Sequence, residues 1–120
     1  MPDRDPTYEA DCLFCRIAAG EIPADVVFQD DAVIVFRDIN PRAPTHVLAI
    51  PRRHMASAAD LTDADGDLLA ALFGALRHVA REAGLGGYRI VTNVGAESGQ
   101  SVFHLHFHLL GGRPMSWPPG

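Results

Sequence analysis

Lysine is absent from this chain of 120 residues, cysteine occurs twice and tryptophan once. Two cysteines only three positions apart, Cys12 and Cys15, exclude a disulfide framework as the source of stability. No run of apolar residues approaches the ~20 that a membrane-spanning helix needs. The first ten residues are polar, with Pro2, Pro6 and several charges, and lack the hydrophobic segment of a secretory signal. They read as part of a flexible tail, residues 1–11, on a cytoplasmic protein. Basic excess is lacking too: the formal net charge is −5. That argues against a nucleic-acid or membrane surface as the main partner, since both attract a basic patch. A local basic pocket for a phosphate remains compatible with it. Repeats and linkers are missing as well, so residues 12–120 read as one domain, long enough for a core of its own.

What is present is histidine, and half of it lies in one stretch. His104-Leu105-His106-Phe107-His108-Leu109-Leu110 alternates imidazoles with large apolar residues. A period of two is that of a β-strand. His104, His106 and His108 then share one face, roughly 7 Å from one to the next. Leu105, Phe107 and Leu109 share the other and can enter a core. Imidazoles this close disfavour one another's protonation, and their titrations are coupled. At least one is expected to be neutral near pH 7, with a ring nitrogen free to attack an electrophile or bind a metal. A solvated polar face or a metal-binding ribbon is the competing interpretation.

The remaining elements follow from pattern and punctuation. Cys12–Ala19 reads as a short helix stopped by Gly20. Val26–Phe28 and Ala32–Phe36 read as a hairpin across Gln29-Asp30-Asp31. Thr45–Ile50 is a third strand, closed by Pro51. Asp63–Ala83 is the main helix, with Thr62 as its cap and Gly84 as its end; Leu68, Leu69, Leu72, Phe73, Leu76, Val79, Ala80 and Ala83 recur at helical spacing. Tyr88–Asn93 is a fourth strand and Ser101–Leu110 a fifth. The fold class is α+β, a mostly antiparallel five-stranded sheet with one long and one short helix. The long helix is expected over the Leu105/Phe107/Leu109 face, leaving the histidines to a groove.

Several other residues have chemistry of their own. Cys12-x-x-Cys15 is half a zinc site, a redox pair or two buried thiols. Ser101 offers a hydroxyl just before the histidines or is an ordinary strand-entry serine. The backbone N–H groups of Gly99, Gln100, Ser101 and Val102 suit a phosphate, because glycine lets the chain approach closely. Phe36 and Ile39, with Phe14 and Ile17, form either an apolar slot or plain core. His46 either joins the histidine face or closes the Pro44 loop. His78 is a surface or packing residue of the main helix.

Taken together, these motifs resemble the histidine triad superfamily, whose signature is His-x-His-x-His-x-x with apolar x. More narrowly, the chain resembles the branch of histidine triad nucleotide-binding proteins. Gly99 to Gly112 carries the likeness, as do Asp38-Ile39-Asn40-Pro41-Arg42-Ala43-Pro44-Thr45-His46, Ile50-Pro51-Arg52-Arg53-His54 and the terminal Trp117-Pro118-Pro119-Gly120. The resemblance implies a homodimer that binds purine nucleotides and hydrolyses adenosine 5′-phosphoramidates to AMP and an amine. It makes His106 the nucleophile and His108 a phosphate or leaving-group contact that aids proton transfer. It gives Asp38 the ribose hydroxyls, an apt task for an acceptor-only group, makes the slot of Phe36, Ile39, Phe14 and Ile17 the place of the base, and puts Asn93 against phosphate. Trp117 would shape leaving-group preference from the partner subunit. Arg37 departs from a histidine common at its position. Relatives with the cysteine pair imply a closed structural zinc site of Cys12, Cys15, His54 and His104. Two rivals stand beside this reading: a dinucleoside polyphosphate hydrolase of the same superfamily and a non-catalytic nucleotide-binding adapter. The Gly111-Gly112 and Trp117-Pro118-Pro119-Gly120 ending speaks against the first, and retention of His106, His108, Ser101 and His46 against the second.

Overall fold

Five strands, β1 (Val26–Gln29), β2 (Val33–Arg37), β3 (Thr45–Pro51), β4 (Tyr88–Val91) and β5 (Phe107–Gly111), form the sheet of the computed structural model, which describes residues 4–120. Their order is β1-β2-β3-β5-β4 and every neighbouring pair is antiparallel. Helices α1 (Leu13–Ala18) and α2 (Gly66–Glu82) complete the α+β fold read from the sequence. No helix among the described residues is long and apolar enough to cross a membrane.

Local chemistry sets the boundaries. The Asp30 carboxylate accepts the N–H groups of Ala32 and Val33 at 2.9 and 2.8 Å, which turns β1 into β2. Thr62 caps a 3₁₀ turn, Asp63–Asp65, that leads into α2, and the Asp65 carboxylate returns to the Thr62 N–H at 2.9 Å. Gly84, at φ +69°, ends the helix in the left-handed conformation that glycine adopts without a Cβ penalty. Residues 4–11, part of the stretch read as a tail, have specific partners: Arg4 and Tyr8 both donate to Glu21, and the Thr7 hydroxyl accepts the His54 N–H at 2.6 Å. Residues 1–3 of that stretch lie outside the described residues.

Alternation divides the sheet into two faces. Val33, Val35, Val47, Ala49, Leu105, Phe107 and Leu109 bury one face under Leu72, Ala75, Leu76, Val79 and Ala80 of α2. Ile34, Phe36, Leu48 and Ile50 bury part of the other against Phe14 and Ile17 of α1. The long helix therefore covers the side expected for it, and the histidines lie on the α1 side.

The expected strand Ser101–Leu110 is corrected: β5 starts at Phe107, so His104 and His106 precede it. The paired residues of β3 and β5 end at Ala49 and Phe107, and β3 itself stops at Pro51, which has no N–H to offer a ladder. Single hydrogen bonds replace the ladder. The Leu105 N–H donates to the Met55 carbonyl at 2.8 Å, and the Thr92 hydroxyl donates to the His106 carbonyl at 2.8 Å. The side-chain alternation survives, with Leu105 in the α2 core and the rings of His104 and His106 both against Phe14.

Candidate active site and metal centre

His108, on β5, lies opposite Leu48 of β3 and Val91 of β4. His46, two residues from Leu48, falls on the same face. Its ring is 5.2 Å from that of His108, centre to centre, and the ring of His106 is 5.1 Å from His108 on another side. Phe14 packs edge-on against His106 at 5.2 Å. His106 keeps only 7 % of its surface exposed, whereas His108 is half-buried.

Hydrogen bonding assigns the protons. A carbonyl only accepts, so His106 donates Nδ1–H to the His104 carbonyl, 2.7 Å away. In the neutral ring this leaves the Nε2 lone pair free. The Arg42 N–H donates to His46 Nδ1 at 3.0 Å, so the His46 proton is on Nε2. It is shared between His108 Nδ1 at 3.0 Å and Asp38 Oδ2 at 3.4 Å. A neutral His108 then carries its own proton on Nε2. Burial, helped by the neighbouring His106 and His46 and opposed by Asp38, pushes the His108 pKa down to about 4. Burial also lowers that of His46, against the pull of Asp38. Asp38, His46 and His108 bring three donor atoms within 4.8 Å of one another, as a metal site would. A cation on His46 Nε2 would force the proton to Nδ1, facing the Arg42 N–H. The geometry suits a chain of donors ending at His108 Nε2–H better than a metal.

A second cluster lies behind the first. Cys12 Sγ and Cys15 Sγ are 3.3 and 3.5 Å from His104 Nδ1, and Cys15 Sγ and His104 Nδ1 are 3.3 and 3.2 Å from His54 Nδ1. A tetrahedral zinc with its usual Zn–S and Zn–N bonds separates its ligand atoms by about 3.3–3.8 Å. His104 donates Nε2–H to the Pro51 carbonyl at 2.8 Å, which points the Nδ1 lone pair into the cluster, as an outer hydrogen bond does for a metal-bound imidazole. Burial pushes the Cys15 thiol up to about 11 and His104 down to about 4, so a cation would supply the charge that burial otherwise removes. Two sulfurs and two imidazole nitrogens suit zinc, and four protein ligands make a structural site.

Comparison with known proteins places this geometry. The family described as "Scavenger mRNA decapping enzyme C-term binding" matches residues 11–117. An uncharacterized HIT-like protein of Synechocystis is 49% identical over 92% of the chain and 97% of its own length. The chain belongs to the histidine triad family. A histidine triad hydrolase structure from Legionella pneumophila superposes with a TM-score of 0.90 at 54% identity, covering 92% of this chain and 100% of that one. A maize relative, 46% identical over 90% of the chain and 87% of its own length, is a 14 kDa zinc-binding protein.

Other expected residues of this histidine triad protein are distributed as follows. Phe14, Ile17 and Phe36 are buried together, with Val102 against them. Ile39 does not join that slot: it is 92 % exposed, in the turn that Asp38 makes by accepting the Asn40 N–H at 2.8 Å. The Gly99–Val102 cradle is also narrower than expected. The N–H groups of Gly99 and Gln100 are taken by Ala96 and Gly95, and the buried Gln100 amide spans Gly95, Ala56 and Val102. Gln100 thus closes the loop, leaving Ser101 and Val102 N–H without a protein partner among the described residues. Ser101 is exposed, in a cavity of about 390 Å³ shared with Cys12 and His54. Asn93 is half-buried just beyond β4. Trp117 is 80 % exposed, with the Arg89 guanidinium 6.0 Å from its ring. Arg37 pairs with Asp25 at 3.1 Å, and His78 packs on Phe28. A cavity of about 540 Å³ is lined by Arg4, Tyr8, Cys15, Arg52 and neighbours and includes none of the triad. Sequence reading missed Thr92 and the backbone groups of Met55, Pro51 and Arg42, because a peptide group leaves no signature in side-chain identity.

Proposed function

We infer that the protein hydrolyses adenosine 5′-phosphoramidates through a nucleotidyl-His106 intermediate. The observation that carries this is the 2.7 Å bond from His106 Nδ1–H to the His104 carbonyl, which holds Nε2 as the free lone pair. His106 Nε2 attacks the α-phosphorus, the P–N bond to the amine breaks, and the ring becomes an imidazolium whose Nδ1–H faces a carbonyl. His108 Nε2–H donates to the phosphoryl oxygens or leaving nitrogen and aids transfer of the proton the amine takes. Water then adds to phosphorus and His106 Nε2 departs with its lone pair restored. The hydroxyl on AMP and the proton on the amine together account for one water.

In this reading Asp38 holds the ribose, Phe14, Ile17 and Phe36 flank the base, and Asn93 with the N–H groups of Ser101 and Val102 meets the phosphate. Zinc on Cys12, Cys15, His54 and His104 is structural, with no position left open to bind water or substrate. A homodimer, with Trp117 near the partner's site, belongs to the same reading, carried by the resemblance alone, and we propose a cytoplasmic location beside it.

An AMP-amine and a diadenosine polyphosphate assayed side by side test the substrate class. The first is expected to turn over faster, and His106→Ala to lower that rate by more than about 10³-fold with the fold intact. A faster polyphosphate rate favours the other branch of the superfamily, and wild-type turnover by His106→Ala refutes the nucleophile. Metal content after purification without chelator or added zinc tests the second cluster; below about half a zinc per chain rejects it.

A further inference from the structure

We propose that the metal cluster is a positioning device for the nucleophile, with His104 as the residue that joins the two. The proposal rests on the reading of His106 as nucleophile and of Cys12, Cys15, His54 and His104 as metal ligands. One residue faces both ways: the His104 ring presents Nδ1 to the cluster, and the His104 carbonyl receives Nδ1–H of His106 at 2.7 Å. The remaining ligands grip the same short segment. Met55, the neighbour of His54, accepts the Leu105 N–H at 2.8 Å. Pro51, at the start of the turn that ends in His54, accepts His104 Nε2–H at 2.8 Å. Phe14, between the two cysteines on α1, lies edge-on to His104 at 6.0 Å and to His106 at 5.2 Å.

The geometry makes this matter because His104–His106 has no ladder to hold it. Paired strand begins only at Phe107. What fixes the peptide that orients His106 is a set of single bonds, most of them anchored on ligand residues or their neighbours. A cation drawing the four donors together fixes α1, the 51–55 turn and the 104–106 segment relative to one another. Without it, burial is what keeps them in register, and the His104 carbonyl gains freedom to rotate away from His106 Nδ1. Loss of that bond releases the His106 proton to either ring nitrogen and lets the attacking lone pair wander. Misplacement of a reacting group on that scale costs about tenfold or more in rate. The base slot is not isolated from the cluster, because Phe14 and Ile17 lie on α1 and Cys12 packs against them, so the specific signature of the coupling is the His106 proton rather than affinity.

The test compares zinc-loaded and chelator-stripped protein, with circular dichroism to confirm the sheet in both. In stripped, folded protein kcat on an AMP-amine at saturation is expected to fall at least about tenfold. The ring ¹⁵N signals of His106 are expected to pass from one tautomer to a mixture. A cobalt-substituted sample supplies a second measurement and serves if the stripped protein unfolds: saturating AMP is expected to shift the cobalt–thiolate absorption, since its phosphate meets His106, whose Nδ1–H is held by the carbonyl of the ligand residue His104. Unchanged kcat and unchanged His106 signals in folded stripped protein overturn the proposal while leaving nucleophile and metal site standing. So does a cobalt spectrum indifferent to AMP. Failure to bind any metal overturns the metal reading and this proposal with it, and an active His106→Ala overturns the nucleophile reading instead.

Discussion

His46 receives a peptide N–H at one nitrogen and passes the proton on its other nitrogen toward His108 across 3.0 Å. Removing it with His46→Ala leaves the Arg42 N–H without its acceptor and His108 Nδ1 without its donor. We expect kcat to fall about 10²-fold, the lower range for a positioned proton-transfer group, measured at saturating AMP-amine; an unchanged kcat rejects the donor chain. His108 itself faces His106, His46 and Asp38, and burial holds its pKa near 4 rather than at the ordinary 6.5. An unfolded chain takes up this proton as pH falls below about 6.5 while the folded chain refuses it until about 4, so stability falls with pH across that window. His108→Gln cannot titrate. Its melting temperature should drop less than the wild type's between about pH 7 and about pH 4.5, and equal losses would show that His108 is not the group responsible.

At the scale of elements, α2 rests on the sheet through Leu72 and Leu76, both without exposed surface. Leu76→Ala removes side-chain volume from the centre of that contact. It should cost about 2–5 kcal/mol, read from urea unfolding at matched slope. This helix and its core face were legible in the sequence, because apolar residues recur at its period and Thr62 and Gly84 mark its ends. Ala75, buried but small, was not picked out by that pattern, and Phe73 extends to the exposed edge while touching Phe107 at 5.3 Å. The fifth strand was legible by face but not by pairing. Alternation reports where side chains point; whether a ladder forms depends on the neighbouring strand, and there Pro51 and the Met55 and Thr92 bonds decide. The same limit applies to the site: His106, His108 and the cysteine pair announce themselves, whereas the carbonyls and N–H groups that set their protons are invisible to residue identity. Gln100 shows the converse, a polar side chain beside the triad whose amide is consumed by its own loop.

For the molecule as a whole, the Cys₂His₂ cluster proposed to hold zinc joins parts that are far apart in sequence: α1 and its cap through Cys15 and Cys12, the turn after β3 through His54 and the segment before β5 through His104. Stripping zinc is therefore expected to lower the melting temperature, and re-addition to restore it, because binding energy of a structural metal is folding energy. A melting curve indifferent to metal would show that the hydrophobic faces alone hold these parts together. Those faces are themselves divided by a sheet one layer thick, with Leu105, Phe107 and Leu109 under α2 and the imidazoles on the reverse. The division gives this fold an asymmetry of repair. Substitutions around the rings change rate and, through His108 and the Cys₂His₂ cluster, durability as well, whereas those beneath the long helix act on durability from the far side of the sheet, so a weakened core can be mended there without touching a ring.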